Sequence, residues 1–208
     1  GKSWRADLSG KADLTPAVTL NFGADSEWTR FSTSFDPAKA ARIASAHLLL
    51  GYHVGGLHLS AGTRIDDHDR FGTHWTFGAN GAIDLAQNLR LRAAYGEGFK
   101  APTLYQLYGY GGNLALQPET SKAYEAGLEY GAHNGHGRIA ITLFRRDSRN
   151  LIDYVWPDGY FNTGRTRAEG VEMEAGAALT DRLLARFAYT HLKATDRADW
   201  NRIAAKHA

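Results

Sequence analysis

The sequence predicts an all-β protein: an antiparallel up-and-down meander of about ten strands that forms part of a transmembrane β-barrel. Three observations carry this expectation. Apolar and polar residues alternate with period two along most of the chain, the repeat of strands whose faces meet different surroundings. The 23 glycines are dispersed as turns require, and 5 Trp, 10 Tyr and 9 Phe accompany a single Met. Short and long connections also alternate along the chain, which in a meander places tight turns at one end and large loops at the other.

In chain order, Leu14, Pro16, Val18, Leu20 and Phe22 share a face opposite Thr15, Thr19 and Asn21, in a strand that continues to Phe31. Residues 32–41 form a loop. Leu48, Leu50, Tyr52 and Val54 oppose His47 and His53, and Gly55-Gly56 is a two-residue hairpin signal. The return strand sets Leu57, Leu59, Ala61 and Ile65 against His58, Ser60 and Arg64. Residues 66–72 (DDHDRFG) read as a polar loop, after which Trp75, Phe77, Ala79, Ile83 and Leu85 oppose Thr76, Asn80 and Asp84.

Leu89, Leu91, Ala93 and Tyr95 then alternate with Arg90 and Arg92. About twenty residues separate Phe99 from the next alternating run, far more than the two to five of a hairpin. Tyr124, Ala126, Leu128 and Tyr130 oppose Glu125 and Glu129, and a small turn follows at 133–137. Ile139, Ile141 and Leu143 alternate with Arg138 and Thr142 in a strand drawn on towards Trp156, and Pro157-Asp158-Gly159 is a turn signal. Val171, Met173, Ala175, Ala177 and Leu179 oppose Glu172 and Glu174; Leu183, Ala185, Phe187 and Tyr189 oppose Arg182, Arg186 and Thr190. The tail from Thr195 to Ala208 has no pattern.

Short connections are expected near 10–14, 55–56, 85–88, 131–137 and 180–182, and longer ones at 32–41, 66–73, 99–121 and 156–160. The polar face carries Gly, Thr, Asn, Arg and Glu, as a barrel lumen does. Aromatics such as Trp28, Trp75, Tyr95, Phe99, Tyr130, Tyr154, Trp156 and Tyr189 gather near strand ends, where interfacial girdles form.

Composition bounds the function. A formal charge of +2 gives no argument for nucleic acid, and the absence of cysteine removes disulfides and thiolate metal sites. No apolar run is long enough for a transmembrane helix. Lys2, Arg5 and Asp7 interrupt any apolar opening, so a secreted form would require a longer precursor.

Chemical motifs are sparse. Gly96-Glu97-Gly98-Phe99-Lys100-Ala101 matches a dinucleotide fingerprint in letters, but Pro102 and the antiparallel setting deny it the required strand-to-helix context. Asp66, Asp67, His68 and Asp69 are the densest polar cluster. The three carboxylates could hold Ca²⁺ on an extracellular loop, or an Asp/His pair could activate water; a solvated charged loop is the simpler reading. His133 and His136 flank a turn, and His47, His53 and His58 lie near one hairpin, where lumen-facing polarity explains them as well as metal does. No G-x-S-x-G elbow occurs. For ligand contact the long loop offers Tyr105, Tyr108 and Tyr110 with Gln106 and Asn113, and Trp156 and Tyr160 form a second group. Packing of those rings on the barrel rim is the alternative.

The runs Tyr95–Gly109 (YGEGFKAPTLYQLYG) and Gly112–Gly131 (GNLALQPETSKAYEAGLEYG) resemble the barrel of TonB-dependent outer-membrane receptors. The matching positions are Gly98-Phe99-Lys100-Ala101-Pro102, then Asn113, Leu116, Pro118 and Glu119, then Ser121, Tyr124, Glu125 and Gly127. Phe144-Arg145-Arg146, and Gly164 with Ala168, Glu169 and Gly170, fit the following strands. The set is most similar to the vitamin B12 (cobalamin) receptor branch. That resemblance implies a bacterial outer-membrane location in contact with lipid, and uptake of a scarce cobalamin-like or iron-siderophore ligand without covalent chemistry. It also implies energy supplied by TonB through an N-terminal region. Residues 1–208 would be a partial barrel domain, without the plug and the C-terminal strands of the family's barrel of about 22 strands. A ten-stranded outer-membrane hydrolase of the omptin sort, using the Asp66–Asp69 cluster, and a soluble β-barrel binding module are the competing expectations.

Overall fold

A computed structural model describes residues 1–33, 38–131, 137–180 and 182–196. Ten long strands form one antiparallel sheet: β1 (Lys2–Thr15), β2 (Val18–Phe31), β3 (Lys39–Val54), β4 (Leu57–His68), β5 (Gly72–Ala86), β6 (Leu89–Lys100), β7 (Glu119–Tyr130), β8 (Gly137–Arg149), β11 (Arg165–Thr180) and β12 (Leu183–Asp196). A five-residue helix, α1 (Leu104–Tyr108), follows β6, and β9 (Ile152–Val155) and β10 (Gly159–Asn162) make a separate hairpin. Each long strand pairs with the strands before and after it in that order, the up-and-down meander expected.

The faces separate as the alternation requires, and the solvent-facing one is apolar. Trp4, Leu8, Leu48, Leu50, Trp75, Phe77, Leu143 and Phe187 are all exposed, whereas Ser45, Asp66, His68, Thr142 and Ser148 on the other face are buried. Among the described residues the buried hydrophobic side chains are Leu104, Leu107, Leu116 and Ala140 alone, far too few for a water-soluble sandwich or barrel of this length. Hydrocarbon outside and a polar lumen inside satisfy both faces. Among the described residues no helix is long and apolar enough to cross a membrane.

The first short turn is at Pro16-Ala17 and not at 10–14, so β1 is a full strand. Thr15 Oγ1 accepts from the Ala17 amide at 3.2 Å; the two-residue turn pairs Thr15 with Val18, and the register shift at Asp13/Thr15 restores parity, so that Ala12 faces Leu20 and Gly10 faces Phe22 and the alternation runs through unbroken. The register shifts just before three of the tight turns, at Asp13/Thr15, Asp84/Ala86 and Ala178/Thr180, so bulges concentrate at the short-turn end. Residues 66–68 are strand and not loop; Asp69–Phe71 alone turn the chain. β8 stops at Arg149, where Asn150 takes φ 57, instead of running on to Trp156. His133 and His136 lie outside the described residues, as do residues 197–208 of the patternless tail.

One ladder is incomplete. β5 and β6 pair only up to Gly78 and Gly96, although β4–β5 continues to Gly72 and β6–β7 to Lys100. The wall parts above that point on the long-loop side. Glu97, at an outward position, bridges the seam: its carboxylate accepts from the Phe77 amide at 3.2 Å, from the Tyr95 hydroxyl and from Lys122 Nζ at 2.9 Å. The His74 and Phe99 rings stack at 4.1 Å beside it.

Candidate ligand-binding site at the long-loop end

Between β6 and β7 the chain is braced, not loose. Thr103 caps α1 by accepting from the Gln106 amide at 3.2 Å while Gln106 Oε1 accepts from the Thr103 amide at 2.9 Å, a reciprocal capping box. Leu104 and Leu107 of the helix and Leu116 beyond it, the last only 1% exposed, are buried. The β9–β10 hairpin docks on this loop through main chain: the Tyr160 amide donates to Gly111 O at 2.8 Å, and Asn113 Nδ2 donates to Tyr160 O at 2.9 Å. Asn162 completes the seam, accepting from the Gln117 amide at 2.8 Å and donating to Gln117 O at 3.0 Å.

A third segment joins from the β4–β5 turn. Arg70 donates to the Tyr108 hydroxyl at 3.0 Å and to Leu114 O at 2.8 Å, and Lys39 lies 5.0 Å from the Tyr108 ring centre. Below, a cavity of about 660 Å³ is lined by Arg42, His68, Arg70, Lys100, Leu107 and Tyr108 among others. Of its charged lining residues, the cations Arg42, Arg70 and Lys100 outnumber the carboxylates Glu27 and Asp69 by one.

The aromatic candidates divide into braces and free surfaces. Tyr105 meets Phe31 and Tyr160 edge-on at 5.8 and 6.1 Å, and Tyr160 also packs on Tyr154 at 5.0 Å. Tyr110 and Trp156, 67% and 68% exposed, lie nearly parallel at 6.1 Å, one from each docked segment. The Gln106 side chain is engaged by the loop's own backbone, and that of Asn113 by the Ala115 amide and by Tyr160 O of the hairpin. Arg70, Lys39, Arg42 and Lys100 escaped the sequence reading because single cations carry no pattern; the capping box was visible as Thr103-Leu104-Tyr105-Gln106.

Asp66, Asp67 and Asp69 do not converge. Asp66 points to the lumen and accepts from Ser45 Oγ at 2.6 Å and Arg64 Nε at 2.8 Å. Its neighbour Asp67 accepts from Thr73 Oγ1 at 2.9 Å on the opposite face, and Asp69 accepts from the Arg42 amide at 3.0 Å in the turn. Among the described residues no three His, Asp or Glu side chains are grouped to hold a metal ion. His68 lies beyond the apolar outward run of β4, which ends at Ile65. Its burial holds the imidazole pKa below the ordinary value, against the pull of Asp69, and Nδ1 accepts from the Arg70 amide at 3.1 Å. The Gly96–Ala101 motif lies on β6 and its exit, between antiparallel neighbours, with no βαβ unit.

Residues 2–206 match the family described as TonB dependent receptor-like, beta-barrel. Among solved structures, the siderophore receptor PirA from Pseudomonas aeruginosa superposes with a TM-score of 0.81 at 25% identity, over 92% of this chain and 40% of that one. The ferric enterobactin receptor PfeA of the same organism, a mutant in complex with enterobactin, gives 0.79 at 22% identity over 92% and 35%. The FrpB iron transporter from Neisseria meningitidis gives 0.76 at 14% identity over 92% and 35%. The chain thus spans at most two fifths of the length of these structures, and they are receptors and transporters, not enzymes. From its fold and the match across nearly its whole length, the chain belongs to the TonB-dependent receptor β-barrel family.

Proposed function

We propose that this chain is part of a bacterial outer-membrane receptor that captures an anionic iron–siderophore complex on the α1 loop and the β9–β10 hairpin, for uptake driven through TonB. The observation that carries the reading is the exposed Tyr110–Trp156 pair, held on two segments stitched together by one main-chain hydrogen bond and by the Asn113 and Asn162 side chains, beside a cavity whose wall includes Arg42, Arg70 and Lys100. Flat aromatic surface suits the planar chelating rings of such a ligand, and the cations suit its negative charge. The siderophore and iron receptors among the structural neighbours support an iron chelate over a cobalamin-like ligand.

Titration of the complete receptor with a ferric catecholate, followed by tryptophan fluorescence, tests this. Changing Tyr110 and Trp156 together to Ala is expected to weaken binding by about thirtyfold or more, the cost of a central aromatic anchor. Equal affinity in the variant, or tighter binding of cobalamin than of the iron chelate by the unaltered receptor, would refute the assignment.

A further inference from the structure

The outward face carries a charged patch that ligand capture leaves unused. On β3 the outward positions Val54, Tyr52, Leu50, Leu48, Ala46 and Ala44 are apolar in succession, about 34 Å of strand at about 6.8 Å per outward residue. A lipid band about 25 Å tall crossed by tilted strands needs about that length. On β11 the corresponding run is Ala177, Ala175, Met173 and Val171, about 20 Å with Leu179 beyond it, before Glu169, Arg167 and Arg165 take over; on its partner β8, Arg145, Asp147 and Arg149 follow Leu143 on the same face. Charge therefore begins on both strands at one level, directly at the long-loop edge of the apolar band, where lipid headgroups lie.

The arginines are arranged to receive an anion. Asp147 accepts from Arg145 at 2.7 and 2.8 Å and from Arg167 of β11 at 2.7 Å, so a single carboxylate sets two guanidiniums side by side. One step towards the long-loop end, Arg149 and Arg165 are direct cross-strand partners, both exposed, and neither has an ion-pair partner among the described residues. Like charges opposite each other on a sheet destabilise it unless something negative lies between. Four guanidiniums thus share this face with the carboxylates of Asp147 and Glu169, and guanidiniums engage phosphate through paired N–H donors.

We propose that the outward face of β8 and β11 binds the phosphate groups of an anionic membrane lipid, with Arg145 and Arg167 gripping one phosphate and Arg149 and Arg165 another. The occupant is a lipid because the patch continues the hydrocarbon-facing surface directly above Leu143 and Val171, so acyl chains would lie on that surface while the headgroup meets the arginines.

The complete receptor, placed in neutral phosphatidylcholine nanodiscs with or without bis-phosphorylated lipid A, provides the test, with retained phosphorylated lipid counted by native mass spectrometry. Each surface guanidinium is expected to contribute about fivefold, so Arg149→Gln with Arg165→Gln should lower retention about twenty-five-fold. Those two side chains brace nothing, so the same double variant should be at least as heat-stable as the parent in neutral detergent. Arg146→Gln, one residue away on the lumen face, should leave retention unchanged. Unaltered retention in the double variant overturns the proposal, as does an equal loss in Arg146→Gln or stabilisation reproduced by inorganic phosphate alone. Loss of siderophore binding without loss of lipid would touch only the ligand assignment.

Discussion

Glu97 is the side chain whose removal tests most directly how the wall is closed. It occupies an outward position but is only 16% exposed, because it fills the place of the ladder missing above Gly78 and Gly96. Changing it to Ala leaves the Phe77 amide without its acceptor at the edge of a membrane, a loss of about 1–3 kcal/mol for one unsatisfied backbone group. The Lys122 contact, exposed on the lysine side, adds little. Glu97→Gln keeps an acceptor for Phe77 while deleting the charge, and so should recover most of the stability. Denaturant unfolding of the complete receptor in detergent micelles, with hydrogen exchange at residues 73–77, measures both. The Ala variant should unfold earlier and exchange faster along that segment, with Gln close to the parent. Equal destabilisation by Ala and Gln would mean that the carboxylate's charge, not its acceptance from the backbone, holds the seam, and no effect from either would mean the seam is closed by other contacts.

Two further outcomes follow from the loop end. His68 is buried as the neutral base, so the turn it anchors should be stable above the unfolded imidazole value of about 6.5 and weaken as pH falls from there through the depressed folded value. An NMR titration of the His68 ring should give a midpoint below 6.5, and a midpoint above it would show Asp69 prevailing over burial. Gly159 takes φ 90 and a Cβ there would stand 2.4 Å from Gly111 O, so Gly159→Ala should undock the β9–β10 hairpin. Faster exchange of the Tyr160 amide, with the strand amides unchanged, is the expected reading; unchanged Tyr160 protection would show that the hairpin is held from elsewhere.

What the sequence discloses here depends on whether two faces of a strand meet different surroundings. Within the lipid band they do, and Leu48 to Val54, Leu57 to Ile65 and Ile139 to Leu143 therefore report strand and face together. Above the band both faces are polar, so the period vanishes although the strand continues; Asp66, Asp67 and His68 read as loop for that reason alone. The converse failure is at Pro16-Ala17, where a bulge beside the two-residue turn restores parity, so the reversal leaves no mark in the pattern. The site follows the same logic one level up. Its aromatics were visible as a composition, and Trp156 and Tyr110 prove to be neighbours only because Gly111, Asn113 and Asn162 join segments some forty residues apart. Arg70 lies about as far from Leu114 in sequence as Asn113 does from Tyr160, yet it ties the β4–β5 turn to the long loop. A barrel of this kind writes its membrane in a local code of period two, while its binding end is assembled from non-local hydrogen bonds that only the folded meander brings within reach.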